Sequence, residues 1–161
     1  MDNLGFNPKL MKIILDQHKL GPQSLHGPDH WLRVGTIGLV LADRTAANKN
    51  IVRYFAQLHD ACRTNEGVDV FHGIESAHFC KKYRHLILLS DEEFETLITA
   101  VAKHPMGGIS DDATIGTCWD SDRLDLLRVG IKPDRKLLST KEAKEDLLYD
   151  WATKLYLSRL V

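Results

Sequence analysis

The sequence predicts an all-α domain of about six to seven helices. Three observations carry this. Nearly every long segment repeats its apolar residues at helical spacing, and none alternates apolar and polar residues over a strand length. Helix-starting and helix-stopping residues also fall between the periodic stretches rather than within them.

Pro8 opens a first helix to about Lys19, with Leu10, Met11, Ile14 and Leu15 on one side, and Gly21-Pro22 ends it. Pro28 stands at the first turn of a second helix, which continues through Trp31, Val34, Ile37, Gly38, Val40 and Leu41 to about Ala47. Asn50 or Asn48 caps a third, carrying Val52, Phe55, Ala56 and His59, and a polar loop, Arg63-Thr64-Asn65-Glu66-Gly67, follows it. A fourth helix runs from near His72 to about Tyr83. Ser90 and Glu93 form a capping box for a fifth, which ends near His104 before Pro105. Gly107-Gly108 and Asp111-Asp112 read as loop, a sixth helix holds Trp119 to Arg128, and a last one spans about 140–158 through Leu147, Leu148, Trp151 and Leu155. Val68-Val70-Phe71 and Thr114-Ile115 are too short to be strands.

The chain has 161 residues, enough for one domain with its own core, and no internal repeat or linker divides it. Its formal net charge of -1 disfavours polymeric nucleic acid and anionic membrane as partners. The first residues lack a continuous apolar run of the signal-peptide kind, and no stretch approaches the roughly 18 apolar residues of a membrane span. Cys62, Cys80 and Cys118 are odd in number and form no C-x-x-C pair. The expectation is a cytoplasmic protein with free thiols and no cysteine-based zinc site.

The chemistry-bearing residues occur in a distinctive order: His30, the adjacent pair His59-Asp60, then His72, His104 and Asp122. Neutral imidazole nitrogens mixed with carboxylate oxygens suit borderline and hard divalent cations. On a straight helix His59 and Asp60 would point about 100° apart, but at a helix end both can turn toward one ion. Taken singly, each residue has an ordinary structural reading as a cap, a core histidine or a surface pair. In this order, on apolar-faced helices, they point together to a metal site.

The order resembles that of the HD-domain superfamily of metal-dependent phosphohydrolases, which is all-α and named for its His-Asp pair. The family's His, His-Asp, Asp maps onto His30 in D-H-W-L-R-V, His59-Asp60 in L-H-D-A-C-R and Asp122 in S-D-R-L-D-L. The motifs span roughly residues 24 to 130 of a single HD domain. The resemblance implies a helical bundle with His30, His59, Asp60 and Asp122 around one ion. His72 in F-H-G-I-E-S-A and His104 in A-K-H-P match the extra positions of two-metal branches, with Asp60 bridging. One departure stands out. Many members carry Lys four residues after the His of the pair, where this chain has Arg63, which replaces a point donor with a planar fork. The G-Y-P motif of the cyclic-dinucleotide phosphodiesterases is absent.

The function expected is hydrolysis of a small phosphorylated metabolite, with a nucleotide as the leading candidate, by attack of a metal-bound water. A divalent ion lowers the pKa of bound water to about 7 and polarises a phosphoryl oxygen. His and Asp ligands do not choose among Mn, Co, Ni, Mg, Zn and Fe, nor between one ion and two. Asp60 and Arg63 are the catalytic candidates, Arg63 as a bidentate phosphate donor. Arg63, His26, Arg33, Glu66 and Lys103 are candidate substrate contacts, although Arg33 can equally pair with Asp29 or Asp122 and Lys103 reads as solvent-exposed. Asp120 and Asp125 rival Asp122, and Asp125, one turn on, can instead accept a hydrogen bond from behind the site. Trp119, His78 and His85 read as structural or surface residues. Two alternatives remain: a di-iron oxygenase of the same superfamily, and a non-catalytic metal-containing binding module. The last helix can pack on the core or on a second subunit in a homodimer.

Overall fold

The computed structural model describes residues 4–106 and 108–157, so Gly107 of the expected Gly107-Gly108 loop and Ser158 of the last expected helix lie outside the described residues. The described residues are helical, with no strand among them.

Helix α1 (Pro8–Gln17) starts at Asn7, whose side chain accepts from the amides of Lys9 and Leu10. Helix α2 (Pro28–Thr45) has Pro28 in its first turn and ends at Ala46, which takes a left-handed conformation at φ 59°. Asn48, not Asn50, caps α3 (Lys49–Leu58) through the amides of Asn50 and Ile51. Helix α4 spans His72–Lys82, and α5 (Asp91–Lys103) opens with the Ser90–Glu93 capping box.

Two elements depart from the expected bounds. Helix α6 runs over Ala113–Arg123, six residues ahead of the expected start at Trp119, because Asp112 is not loop filler. Its carboxylate accepts from the amides of Thr114 and Ile115 and so starts the helix there. The expected continuation to Arg128 is instead a separate 3₁₀ turn, Leu126–Val129, closed by Gly130 at φ 76°. The single last helix is two, α7 (Lys141–Lys144) and α8 (Asp146–Lys154). Glu145 between them is extended (ψ 135°), and its carboxylate accepts from Arg44 of α2 at 2.6 Å.

Helix α2 is the central element, with Trp31 and Val34 in one apolar cluster and Ile37 and Leu41 in another. The first cluster joins α1, α3, α5 and α6 through Leu10, Ile14, Phe55, Leu97, Val101 and Cys118. The second holds the C-terminal part through Leu124, Leu138, Leu148, Tyr149 and Ala152, so α8 packs on the core while Leu147, 86% exposed, faces outward. Trp119 is core: its Nε1 donates to the Ala100 carbonyl at 3.0 Å.

Two glycines set how closely the site-bearing helices approach. A Cβ on Gly38 would lie 2.6 Å from Val52 Cγ1, so α2 and α3 touch where a side chain would part them. A Cβ on Gly73 would lie 2.8 Å from the Pro105 ring and 2.9 Å from the Ala102 carbonyl. The glycine beside His72 therefore lets α4 lie directly against the end of α5, where His104 stands.

Candidate metal centre

Helix α3 stops at Leu58, and tight turns follow, with Ala61 N donating to Leu58 O and Arg63 N to Asp60 O, each at 3.1 Å. This departure from helical geometry frees His59 and Asp60 from the 100° divergence of a straight helix. His30 comes from the first turn of α2, His72 from the start of α4, His104 from the end of α5, and Asp122 from the last turn of α6.

The six residues expected around metal are brought together in the fold. His30 Nε2 and His59 Nε2 stand 3.0 Å apart. Asp122 Oδ1 lies 3.3 Å from the first and 3.8 Å from the second, and Asp60 Oδ2 lies 3.7 Å from both. The other Asp60 oxygen, Oδ1, lies 3.1 Å from His72 Nε2 and 3.5 Å from His104 Nε2, themselves 2.9 Å apart. One buried carboxylate thus presents an oxygen to each of two histidine pairs. His26 joins the first group, its Nδ1 3.0 Å from Asp60 Oδ2.

The ring tautomers decide what these contacts mean. His59 Nδ1 faces the Phe55 carbonyl at 3.1 Å, and His104 Nδ1 faces the Val101 carbonyl at 2.7 Å. His72 Nδ1 faces the Asp69 carbonyl. A carbonyl only accepts, so in each of these rings Nδ1 carries the proton. His30 Nδ1 donates to Asp125 Oδ2 at 2.7 Å. In their neutral forms all four rings then turn bare Nε2 lone pairs toward one another and toward carboxylate oxygens. Donor atoms about 3.0 Å apart have the spacing of neighbouring ligands about 2.1 Å from a common ion and about 90° apart. The donor set fits a divalent cation, and these buried His and Asp groups can hold one.

Electrostatics point the same way. Burial disfavours the Asp60 anion, but the imidazoles of His59, His104, His26 and His72 that face it hold its carboxyl well below the usual range. Asp122 is likewise held low against its burial, by His30, His59 and Arg128. Burial pushes His59 down to about 3, so it stays neutral and ligand-competent. Burial also opposes a charge on His72, yet the Asp60 carboxylate raises its pKa; before a cation arrives, a proton on this ring meets the excess of lone pairs.

Behind the centre, Asp125 does not compete as a ligand. Its two oxygens accept from His30 Nδ1 and from Arg33 Nε and Nη2 at 2.7–3.0 Å. This corrects the reading of Arg33 as a substrate contact or a partner of Asp122: its buried guanidinium is committed to Asp125. Asp120 is not a rival either. It accepts from the Ser139 and Thr140 amides and the Thr140 hydroxyl at 2.6–2.8 Å, tying α6 to the segment before α7.

Asp60, His72, His104 and Asp122 line a cavity of about 520 Å³. Arg63 and Glu66 line it too, whereas Lys103 is exposed and does not, so its expected substrate contact has no basis in the geometry. Arg63 Nε and Nη2 donate to the carbonyls of Asn65 and Gly67 at 3.1 and 2.6 Å, leaving Nη1 near His72 and 3.9 Å from Asp60. The sequence reading gave Arg128 no role. It lines the cavity, buried, with Nη2 3.2 Å from His26 Nδ1 and 3.8 Å from Asp122 Oδ1. Its spacing, one turn beyond Asp125, was the available signal.

No protein-family model and no curated protein matches the sequence. Among solved structures, the crystal structure of a predicted HD superfamily hydrolase from an uncultured Thermotogales bacterium has the same fold, with a TM-score of 0.67. The match covers 94% of this chain and 86% of that one at 18% sequence identity. The chain therefore has the helical HD-domain fold that its His, His-Asp, Asp order implies. No helix among the described residues is long and apolar enough to cross a membrane.

Proposed function

We propose that this protein is a metal-dependent phosphohydrolase acting on a small phosphorylated metabolite. The observation that carries the reading is the Asp60 carboxylate set between two pairs of bare imidazole nitrogens on the floor of an open cavity. A structural ion is normally enclosed by its ligands, whereas Asp60, Asp122, His72 and His104 line a cavity that a substrate can enter.

When bound, a divalent ion supplies an activated water and Lewis-acid polarisation of a phosphoryl oxygen. The chain's own residues do the rest. Asp60, Asp122 and the histidines around them would hold the ion. Arg63 Nη1 and Arg128 Nη2 reach the cavity from separate elements and receive the non-reacting phosphate oxygens. In the reaction the oxygen of water bonds to phosphorus and the ester P–O bond breaks. A proton passes to the departing alkoxide, giving phosphate and an alcohol. No cysteine competes as nucleophile, since burial raises all three thiols.

The test is a panel of phosphate monoesters, including nucleoside monophosphates, assayed with Mn, Co, Ni or Mg for released phosphate. Turnover with at least one metal, lost in Asp60→Ala, is expected. The sharing of Asp60 between two donor groups also suits an iron pair, so oxygen consumption by iron-loaded protein, with no phosphate released from any ester, favours the oxygenase reading instead.

A further inference from the structure

We infer that the alcohol half of the substrate is aliphatic, so that the ester hydrolysed is an alkyl-type phosphate monoester rather than a nucleotide. The inference rests on the phosphohydrolase reading and comes from the walls of the same cavity.

The floor is ionic, but much of the mouth is aliphatic. Val68 and Val70, from the loop between α3 and α4, line it with exposures of 89% and 60%. Leu126 and Val129, from the 3₁₀ turn after α6, and Ile131, just beyond it, line it as well, and Ile131 is 54% exposed. Single exposed apolar residues need no explanation. Here two segments distant in sequence bring aliphatic side chains to one opening, continuous with a floor built for an anion. An amphipathic ligand with its phosphate on the floor and a hydrocarbon body along the mouth would cover both.

The wall lacks an aromatic platform for a nucleobase. Among the described residues lining the cavity none is Phe, Tyr or Trp, so no such ring is placed to stack on a base. The polar side chains near the mouth are largely committed elsewhere. Asp69 Oδ2 accepts from Thr64 N and Oγ1 at 2.9 and 2.8 Å, and Arg123 Nη1 donates to the Leu137 carbonyl at 2.5 Å. Glu66 remains, a single carboxylate that can accept from a base amino group but offers no donor to a base carbonyl.

The test compares kcat/KM for ethyl, butyl and hexyl phosphate with that for nucleoside 5′-monophosphates, using protein loaded with the most active metal. Each added methylene should raise kcat/KM by about fourfold while the wall still covers it. Hexyl phosphate should exceed every nucleotide. In the Val68→Ser, Val70→Ser double variant, both at exposed positions, the hexyl-to-ethyl ratio should fall by about tenfold. Alkyl phosphonates of the same lengths, titrated calorimetrically, should show the same gradient without turnover. A flat series, or nucleotides preferred over hexyl phosphate, overturns the inference and leaves the hydrolase reading standing. No phosphate release from any ester overturns both.

Discussion

At the scale of single residues, the centre depends on groups that fix proton positions as much as on the ligands. Asp125 accepts from His30 Nδ1 and from Arg33, so it holds the ring with its Nε2 turned inward. Asp125→Asn should keep the fold but lower metal affinity by about 10- to 100-fold, as read by competition against a chelating dye. Asp120 has the opposite profile. Asp120→Ala removes three hydrogen bonds and leaves the part-buried amides of Ser139 and Thr140 without their acceptor. It should lower unfolding stability by about 3 kcal/mol in a denaturant titration while metal content per folded chain is kept. The sequence placed three Asp residues within one short segment and could not separate their roles, because the distinction lies in what each carboxylate faces across the fold. Arg128 escaped notice for the same reason: nothing near it in the chain shows that it meets His26 from 102 residues away.

At the scale of elements, local signals and tertiary constraints divide cleanly. The cap at Ser90 acts through neighbouring amides and the proline starts at Pro8 and Pro28 through their own fixed φ, so these local signals are legible in the sequence. The start of α6 is not legible because Asp111-Asp112 reads as an acidic loop, whereas Asp112 caps the amides of Thr114 and Ile115. The split between α7 and α8 was missed because the long-range contact of Glu145 with Arg44 helps to hold the break. Gly73 marks where element packing shapes the centre. Gly73→Ala drives a methyl against Pro105 and the Ala102 carbonyl, so α4 must move away from the end of α5. The expected result is a loss of about 1–3 kcal/mol in stability. Metal held by His72 and His104 should weaken more than metal held by His30 and His59, which separate calorimetric binding steps would show.

At the scale of the whole molecule, eight helices among the described residues converge chemistry from five segments on one cavity, and acid should dismantle that arrangement in a defined direction. His59 is held down to about 3 from its ordinary 6.5, so between those values the unfolded chain binds a proton that the folded chain does not. Its contribution to stability is therefore lost as pH falls through that window. His72 is raised and has the opposite sign, favouring the folded state at low pH and losing that contribution as pH rises through its folded pKa. Asp60 and Asp122 are held low, so their contribution is present above their ordinary 3.8 and is lost as pH falls below it. Metal-free protein should therefore melt at lower temperature as pH drops from about 6.5 toward 4, and His72→Ala should steepen that decline. Thermal melts in chelator across this range check both.

On the proposed function, the carboxylate of Asp60, shared between two histidine pairs, holds divalent metal in a catalytic cavity. The most direct measurement is metal bound per chain, by elemental analysis after loading and desalting, for the wild-type protein and for Asp60→Ala with its helical content verified by circular dichroism. One or two divalent ions per wild-type chain, and little or none in the folded variant, are expected. A wild-type chain that takes up no metal, or a variant that retains the full complement, would contradict it.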